Sequence, residues 1–210
     1  MKYVKYPRTF HLPWSLGIGS DDKIIKDLSV LEKSEVVVSL KMDGENTSIY
    51  NDKVHARSLD SKSHESRDWV KTLQSKIGYL IPENYRLCGE NCYAKHQIAY
   101  DDLKSYFLLF SVWKDNLCLS WDETKKLSNE LGLSMVEEIY RGPFDKKAIE
   151  KAFDPYSQKN EGYVVRNVNQ FSYEEFTQHV AKYVRKDHVE EETKHWFLKT
   201  IIPNKLKNKE

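Results

Sequence analysis

The apolar residues of this chain arrive in short runs: EVVVSL (35–40), YFLLFSVW (106–113), EGYVVRN (161–167) and HVAKYVR (179–185). Runs of this length, rich in β-branched and aromatic residues and bounded by charged or turn-forming ones, suit strands buried in a sheet. The longest, Tyr106 to Trp113, is far too short to span a bilayer. The opening MKYVKYPRTF has no apolar core of the kind a secretory leader carries. Helix signals lie between the strands. ESRDWVKTLQSKIG (65–78) places Trp69, Leu73 and Ile77 at i, i+4 and i+8. Ser120 and Glu123 have the spacing of a capping box at the head of a helix, and Asp145 is placed to cap KKAIEKAF. TSIY and VHARS flank Asn51 and Asp52, a hairpin pattern. These elements mix without strict alternation, which favours an α+β fold with largely antiparallel sheets over a doubly wound one. The charged tail from Val189 to Glu210 reads as a helix.

Composition narrows the function classes. With 210 residues, the chain fits one domain, or one domain with a small appendage. A net charge of +1 argues against a general polyanion coat, while leaving room for a local phosphate site. It also disfavours a plain RNA-binding module, for which no aromatic RNA-recognition motif is present either. Cys88, Cys92 and Cys118 are an odd count without histidines at ligand spacing, so they read as reduced thiols in an intracellular, cytoplasmic protein with no membrane partner.

One stretch asks for chemistry. KMDGEN (41–46) comes directly after the EVVVSL strand, so Lys41 stands at the end of a buried element. It can be a solvated lysine before an Asp-Gly turn, or a nucleophile. Five downstream motifs decide between them. Arg57-Ser58 ends the hairpin, Gly89-Glu90 sits at the end of a strand, Phe107 and Phe110 lie in an apolar strand, Glu161-Gly162 opens EGYVVR, and Lys182 and Arg185 lie in AKYVRK. In this order the motifs resemble those of the covalent nucleotidyltransferases: DNA ligases, RNA ligases and capping guanylyltransferases. The resemblance runs from about residue 35 to residue 188. YPRTFHLPWS, SHESRDW and KYVRKDHV are most similar to the ATP-dependent RNA ligases. Only about two dozen residues come after Lys186, too few for the OB-fold that succeeds the last motif in DNA ligases and capping enzymes.

The resemblance implies a nucleotidyltransferase domain over 1–188, the ATP-grasp-like adenylation domain of ligases, with antiparallel sheets flanked by helices. A short helical tail over 189–210 would complete the chain, with no OB-fold. It implies that Lys41 attacks ATP and carries AMP as a phosphoramidate. Only a neutral amine attacks, and at a reference pKa of about 10.4 roughly 0.1% of a lysine is neutral near pH 7.4. Lowering that pKa by about 3 takes on the order of 4 kcal/mol, which burial and neighbouring cations supply. Asp43 would fix the loop, and Gly44 would allow close backbone approach or positive φ. Glu161 would act on hydrated Mg2+ (or Mn2+). Lys182 would neutralise phosphate, with Arg185 or Lys186 as second cation; many relatives carry two lysines separated by one residue, where this chain has Val184. Arg57 would contact phosphate. Glu90 would accept from the ribose hydroxyls. Phe110, or else Phe107, would stack on adenine; strand alternation puts these two on opposite faces, so they cannot both do so. Arg8 and His11, or His64 and Arg67, would meet RNA. The expected substrates are ATP and RNA ends bearing a 5′-phosphate and a 3′-hydroxyl, with an accessory protein or end-healing enzyme as a further partner. The competing readings are a minimal DNA ligase, a capping-type transferase and a nucleotide-binding relative that does not seal.

Overall fold

The structure, a computed structural model, describes residues 3–157, 159–186 and 200–207. In chain order these form β1 (Phe10–His11), α1 (Ser29–Glu32), β2 (Glu35–Lys41), β3 (Glu45–Ile49), β4 (Val54–Ala56) and α2 (Asp68–Ile77). Then come β5 (Tyr85–Asn91), β6 (Phe107–Lys114), β7 (Leu117–Cys118), α3 (Trp121–Glu130), β8 (Ser134–Met135) and β9 (Glu138–Pro143). The last are α4 (Lys146–Ala152), β10 (Gly162–Asn167), β11 (Phe171–Ser172), α5 (Phe176–His179) and β12 (Val180–Val184). The fold is α+β, as the intermixed pattern predicts. None of its described helices is long and apolar enough to cross a membrane.

The described residues divide into two compact units. The first comprises 3–6, 43–135 and 200–207. Its sheet runs β7–β6–β5–β3–β4, all antiparallel, with β8 parallel beside β6. One face packs Ile49, Leu87, Phe107, Leu109 and Val112 against Val70, Leu73 and Ile77 of α2 and Leu127 of α3. The capping box forms: Ser120 Oγ accepts the Glu123 N–H (3.3 Å) and Glu123 Oε2 accepts the Ser120 N–H (3.0 Å). It fixes where α3 begins.

The second unit comprises 7–42, 136–157 and 159–186. Its sheet runs β1–β12–β10–β2–β9, antiparallel except for the parallel pairing of β1 with β12. Val36, Val38, Tyr163, Val165 and Ala181 form its core with Leu12, Leu31 and Ile149. Asp145 Oδ1 accepts from the N–H groups of Lys147 (2.8 Å) and Ala148 (3.2 Å) and so starts α4.

Two features depart from expectation. The strand Glu138–Pro143 pairs with β2, although EIYRGP carries Gly and Pro and lacks a strand's apolar run. An edge position tolerates both residues. The helix expected over 189–210 falls partly outside the described residues; 200–207 is extended, bridging Ala94 through Pro203 and Leu103 through Leu206. Asn204 explains the extended form. Its Nδ2 donates to the Cys92 carbonyl (2.8 Å) and its Oδ1 accepts from the Tyr100 N–H (2.9 Å), so its backbone is drawn along the 92–103 loop.

Candidate active site

Strand register assembles the first group of residues. In the second unit β10 lies between β2 and β12, with Gly162 opposite Lys41 and Val184, and Val164 opposite Ser39 and Lys182. Opposed residues project to one side of a sheet, and successive residues alternate. Lys41 and Lys182 therefore share a face, and the pairing of His11 with Lys182 adds His11 to it. The residues of the other parity point into the core.

Glu161 completes this group. Its N–H donates to the Lys41 carbonyl (3.1 Å), its carbonyl accepts from the Arg185 N–H (3.0 Å), and its carboxylate pairs with the Lys41 ammonium. The two side chains remain 25% and 11% exposed, so the pair is reachable from solvent. Gly162 makes this meeting possible, because a Cβ there would overlap the Tyr183 carbonyl oxygen. Lys182 is held below the ordinary lysine pKa by burial first and the Lys41 ammonium second, against the opposing pull of Asp22 and Glu161. Arg185 is half-buried and Lys186 is exposed just past the strand. Two ammonium groups on one face, with a carboxylate beside them, suit an incoming phosphate that shares the cations. Glu161 is also an oxygen donor of the kind that a largely hydrated magnesium ion accepts singly. Among the described residues no three His, Cys, Asp or Glu side chains gather as a metal-binding group.

The second group lies in the first unit. Asp43 is buried, and its Oδ2 accepts from the N–H groups of Gln97 (2.8 Å) and Ile98 (2.7 Å), while its own N–H donates to Tyr100 Oη (2.8 Å). It thus pins the 97–100 loop. Gly44 is needed for close approach: a Cβ there would stand 2.6 Å from the Asn91 carbonyl oxygen and 3.1 Å from Glu90 Cγ. In β5 and β6, Asn91 pairs with Phe107 and Gly89 with Leu109, whereas Cys88 pairs with Ser111. Phe110 is the extra residue of that bulge. Register puts Glu90 on the face opposite Phe107, and Phe110 meets Tyr6 edge-on there (5.3 Å between centroids). Arg57 Nε donates to the Tyr6 carbonyl (3.4 Å). Glu90, Phe110 and Arg57 are all half-buried, open enough to meet a ligand.

Three residues expected to meet ligand are turned inward. Phe107 is fully buried in the core, which leaves Phe110 as the stacking candidate. His11 is fully buried, away from solvent: its Nδ1 lies 2.8 Å from Ser15 Oγ and its Nε2 3.1 Å from Asp22 Oδ2. Arg67 is 5% exposed and grips Glu45 with Nε (2.7 Å) and Nη2 (2.5 Å), while Nη1 donates to the Lys62 carbonyl. That fork spends its donors inside the protein. Arg8 is exposed, and half-buried His64 caps the turn at Ser66.

Sequence reasoning missed Tyr6 and Asp22. Nothing in GSDD distinguishes Asp22 from its neighbour Asp21; only the fold brings its Oδ1 to 3.5 Å from Lys182 Nζ.

A family described as RNA ligase matches residues 34–184. No curated protein matches. Among solved structures, an archaeal ATP-dependent RNA ligase is 16% identical with a TM-score of 0.57, over 86% of this chain and 48% of that one. A Naegleria gruberi RNA ligase mutant solved with ATP and Mn is 16% identical with a TM-score of 0.55, over 80% and 55%. A protein described as an ATP-dependent DNA ligase from Aquifex aeolicus is 19% identical with a TM-score of 0.56, over 86% and 50%. The chain spans about half the length of these structures.

Proposed function

The chain belongs to the RNA ligase family, and from that premise we propose that it is an ATP-dependent RNA ligase joining a 5′-phosphate to a 3′-hydroxyl through lysyl-AMP and adenylylated RNA. The observation that carries the reading is Lys41 paired with Glu161 on the sheet face it shares with Lys182.

Lys41 is the nucleophile. Its neutral amine attacks the α-phosphorus of ATP. A P–N bond forms, the bond to the bridging oxygen breaks, pyrophosphate leaves with that electron pair, and the nitrogen gives up a proton. Lys182, with Arg185 or Lys186, offsets charge on the phosphates in the transition state. Glu161 is the residue that would hold a magnesium ion, which supplies further charge neutralisation when bound; a structural neighbour was solved with Mn. Glu90 accepts from the ribose hydroxyls, Phe110 stacks on adenine, and Arg57 contacts phosphate. Asp43 and Gly44 hold the turn after the nucleophile. In the second step an RNA 5′-phosphate oxygen attacks the lysyl-AMP phosphorus, the P–N bond breaks, and the lysine recovers a proton. In the third, a 3′-hydroxyl oxygen attacks the RNA 5′-phosphorus, the P–O bond to AMP breaks, AMP leaves with that electron pair, and the hydroxyl gives up its proton to solvent. Both steps move charged phosphoryl groups, so positioning and charge neutralisation dominate. Arg8 and His64 are the RNA contacts.

The test is incubation with magnesium and ATP labelled at the α-phosphate, then a denaturing gel, beside Lys41→Ala. Label retained by the wild type and absent from the variant supports lysyl-AMP. Absence of label from folded, AMP-free wild type overturns it. Nicked RNA and nicked DNA with 5′-phosphates then separate RNA sealing from the DNA ligase alternative.

A further inference from the structure

Lys182 faces a difficulty that the ligase reading does not resolve. It shares a sheet face with Lys41, and two ammonium groups on one partly buried face repel. Glu161 is engaged by Lys41. A flexible four-carbon side chain in that field would swing toward solvent, away from where a phosphate must be met.

The N-terminal segment supplies what is missing. It returns along β12 as β1, with Leu12 N–H donating to the Lys182 carbonyl (2.7 Å) and His11 N–H to the Lys23 carbonyl (2.7 Å). Ser15 Oγ accepts from the Val184 N–H (2.9 Å). This segment carries Asp22 to the Lys182 side chain. One carboxylate oxygen, Oδ2, is occupied by the Gly19 N–H (3.1 Å) and faces His11 Nε2 (3.1 Å). The other, Oδ1, turns to Lys182 Nζ at 3.5 Å. The Asp22 side chain is 24% exposed and that of Lys182 19%, so both border the solvent-reachable site.

We propose that Asp22 is the positioning carboxylate of Lys182, held by the Gly19 N–H so that the ammonium is already aimed when the nucleotide phosphates arrive. The inference rests on the ligase reading above and adds a residue to it. Each of the two neighbouring ammonium groups then has its own carboxylate, Asp22 for Lys182 and Glu161 for Lys41. Were Glu161 to hold a cation, Lys182 would keep its own carboxylate. Burial, more than the Lys182 charge, holds His11 down to a pKa of about 4. It is therefore neutral at neutral pH and adds no charge beside Asp22.

The position makes a kinetic signature. Asp22 carries negative charge beside a phosphate site, so removing it does not weaken the attraction of ATP. It loosens the cation that must be in place during phosphoryl transfer. Loss of aim costs rate rather than affinity. The experiment is single-turnover lysyl-AMP formation against ATP concentration for wild type, Asp22→Asn and Asp22→Ser, with thermal melting of each. Serine keeps an acceptor for the Gly19 N–H without the charge. The expected result is a maximal rate reduced about tenfold in both variants, with half-saturating ATP unchanged or lower and little change in melting temperature. A maximal rate within about twofold of wild type in a folded variant overturns the assignment. So does a rise in half-saturating ATP that accounts for the whole loss, or a loss that tracks melting temperature in both. Wild type that forms no lysyl-AMP fails the ligase reading itself; a wild type that labels beside insensitive variants fails only this one.

Discussion

Lys41 and Glu161 are joined twice. The Lys41 carbonyl accepts the Glu161 N–H at 3.1 Å, and the Lys41 ammonium meets the Glu161 carboxylate. The backbone bond fixes the separation of the two side chains, so the ion pair is placed by the sheet rather than found by two mobile chains. Residues 120 positions apart in sequence thus act as neighbours. Glu161→Gln keeps the shape and removes the charge. It is expected to lower lysyl-AMP formation by roughly 10²-fold while the fold survives, read as labelled protein per unit time.

Asp43 holds the loop at 97–100 by accepting the Gln97 and Ile98 N–H groups. Asp43→Ala leaves those buried donors without an acceptor. The expected loss is about 2–4 kcal/mol in urea unfolding, given about 1.5–3 kcal/mol per bond to a charged group and incomplete additivity. Asp43→Asn keeps one acceptor oxygen and should lose about half as much.

The two phenylalanines of β6 separate stability from binding. Phe107→Ala empties a fully buried core position and should cost about 3–5 kcal/mol. Phe110→Ala should cost less stability and instead raise the ATP concentration needed for half-maximal lysyl-AMP formation about tenfold, the worth of one stacked ring. Equal effects of the two variants on both readouts would remove Phe110 from the adenine site.

Gly162→Ala places a methyl group against the Tyr183 carbonyl oxygen, which is backbone and cannot swing aside. It should part β10 from β12, lower the melting temperature and abolish labelling together. Gly132→Ala is the contrasting variant for crowding, since nothing lies within 4 Å of a Cβ there; its φ of +65° makes any loss a backbone effect alone.

His11 gives a pH prediction. Its pKa in the folded protein is about 4, below the ordinary 6.5, chiefly because it is buried. As pH falls through 6.5 the unfolded chain takes up the proton first, so folded stability drops from about pH 6.5 to about pH 4 and then levels. His55 and His179 are lowered by burial too and act with the same sign. His11→Gln should therefore flatten, without abolishing, the fall in urea midpoint between about pH 7 and about pH 5.

The order of motifs was legible because each carries its own local signal. Lys41 ends an apolar strand, Glu161-Gly162 opens one, and Lys182 sits within one. The capping residues Ser120 and Asp145 were equally plain, since a cap is satisfied by N–H groups two or three residues on. His11 and Arg67 differ from expectation for one shared reason. A polar side chain looks the same in sequence whether its partners are water or protein, and their partners, Asp22 and Glu45, lie 11 and 22 residues away. Phe107 and Phe110 were separable in principle by alternation, yet which of them faced the core was set by α2 and α3 packing on one side of the sheet.

The sequence by itself determined the apolar strands, the caps and the candidate nucleophile, because those depend on periodicity and on neighbours within a few residues. The tertiary structure decided who stands beside the nucleophile. Register across β2, β10 and β12 put Lys41, Lys182 and His11 on one face, and the return of β1 brought Asp22 to Lys182. Register is a relation between distant segments, fixed by burying one face of each strand at once. No single segment contains it.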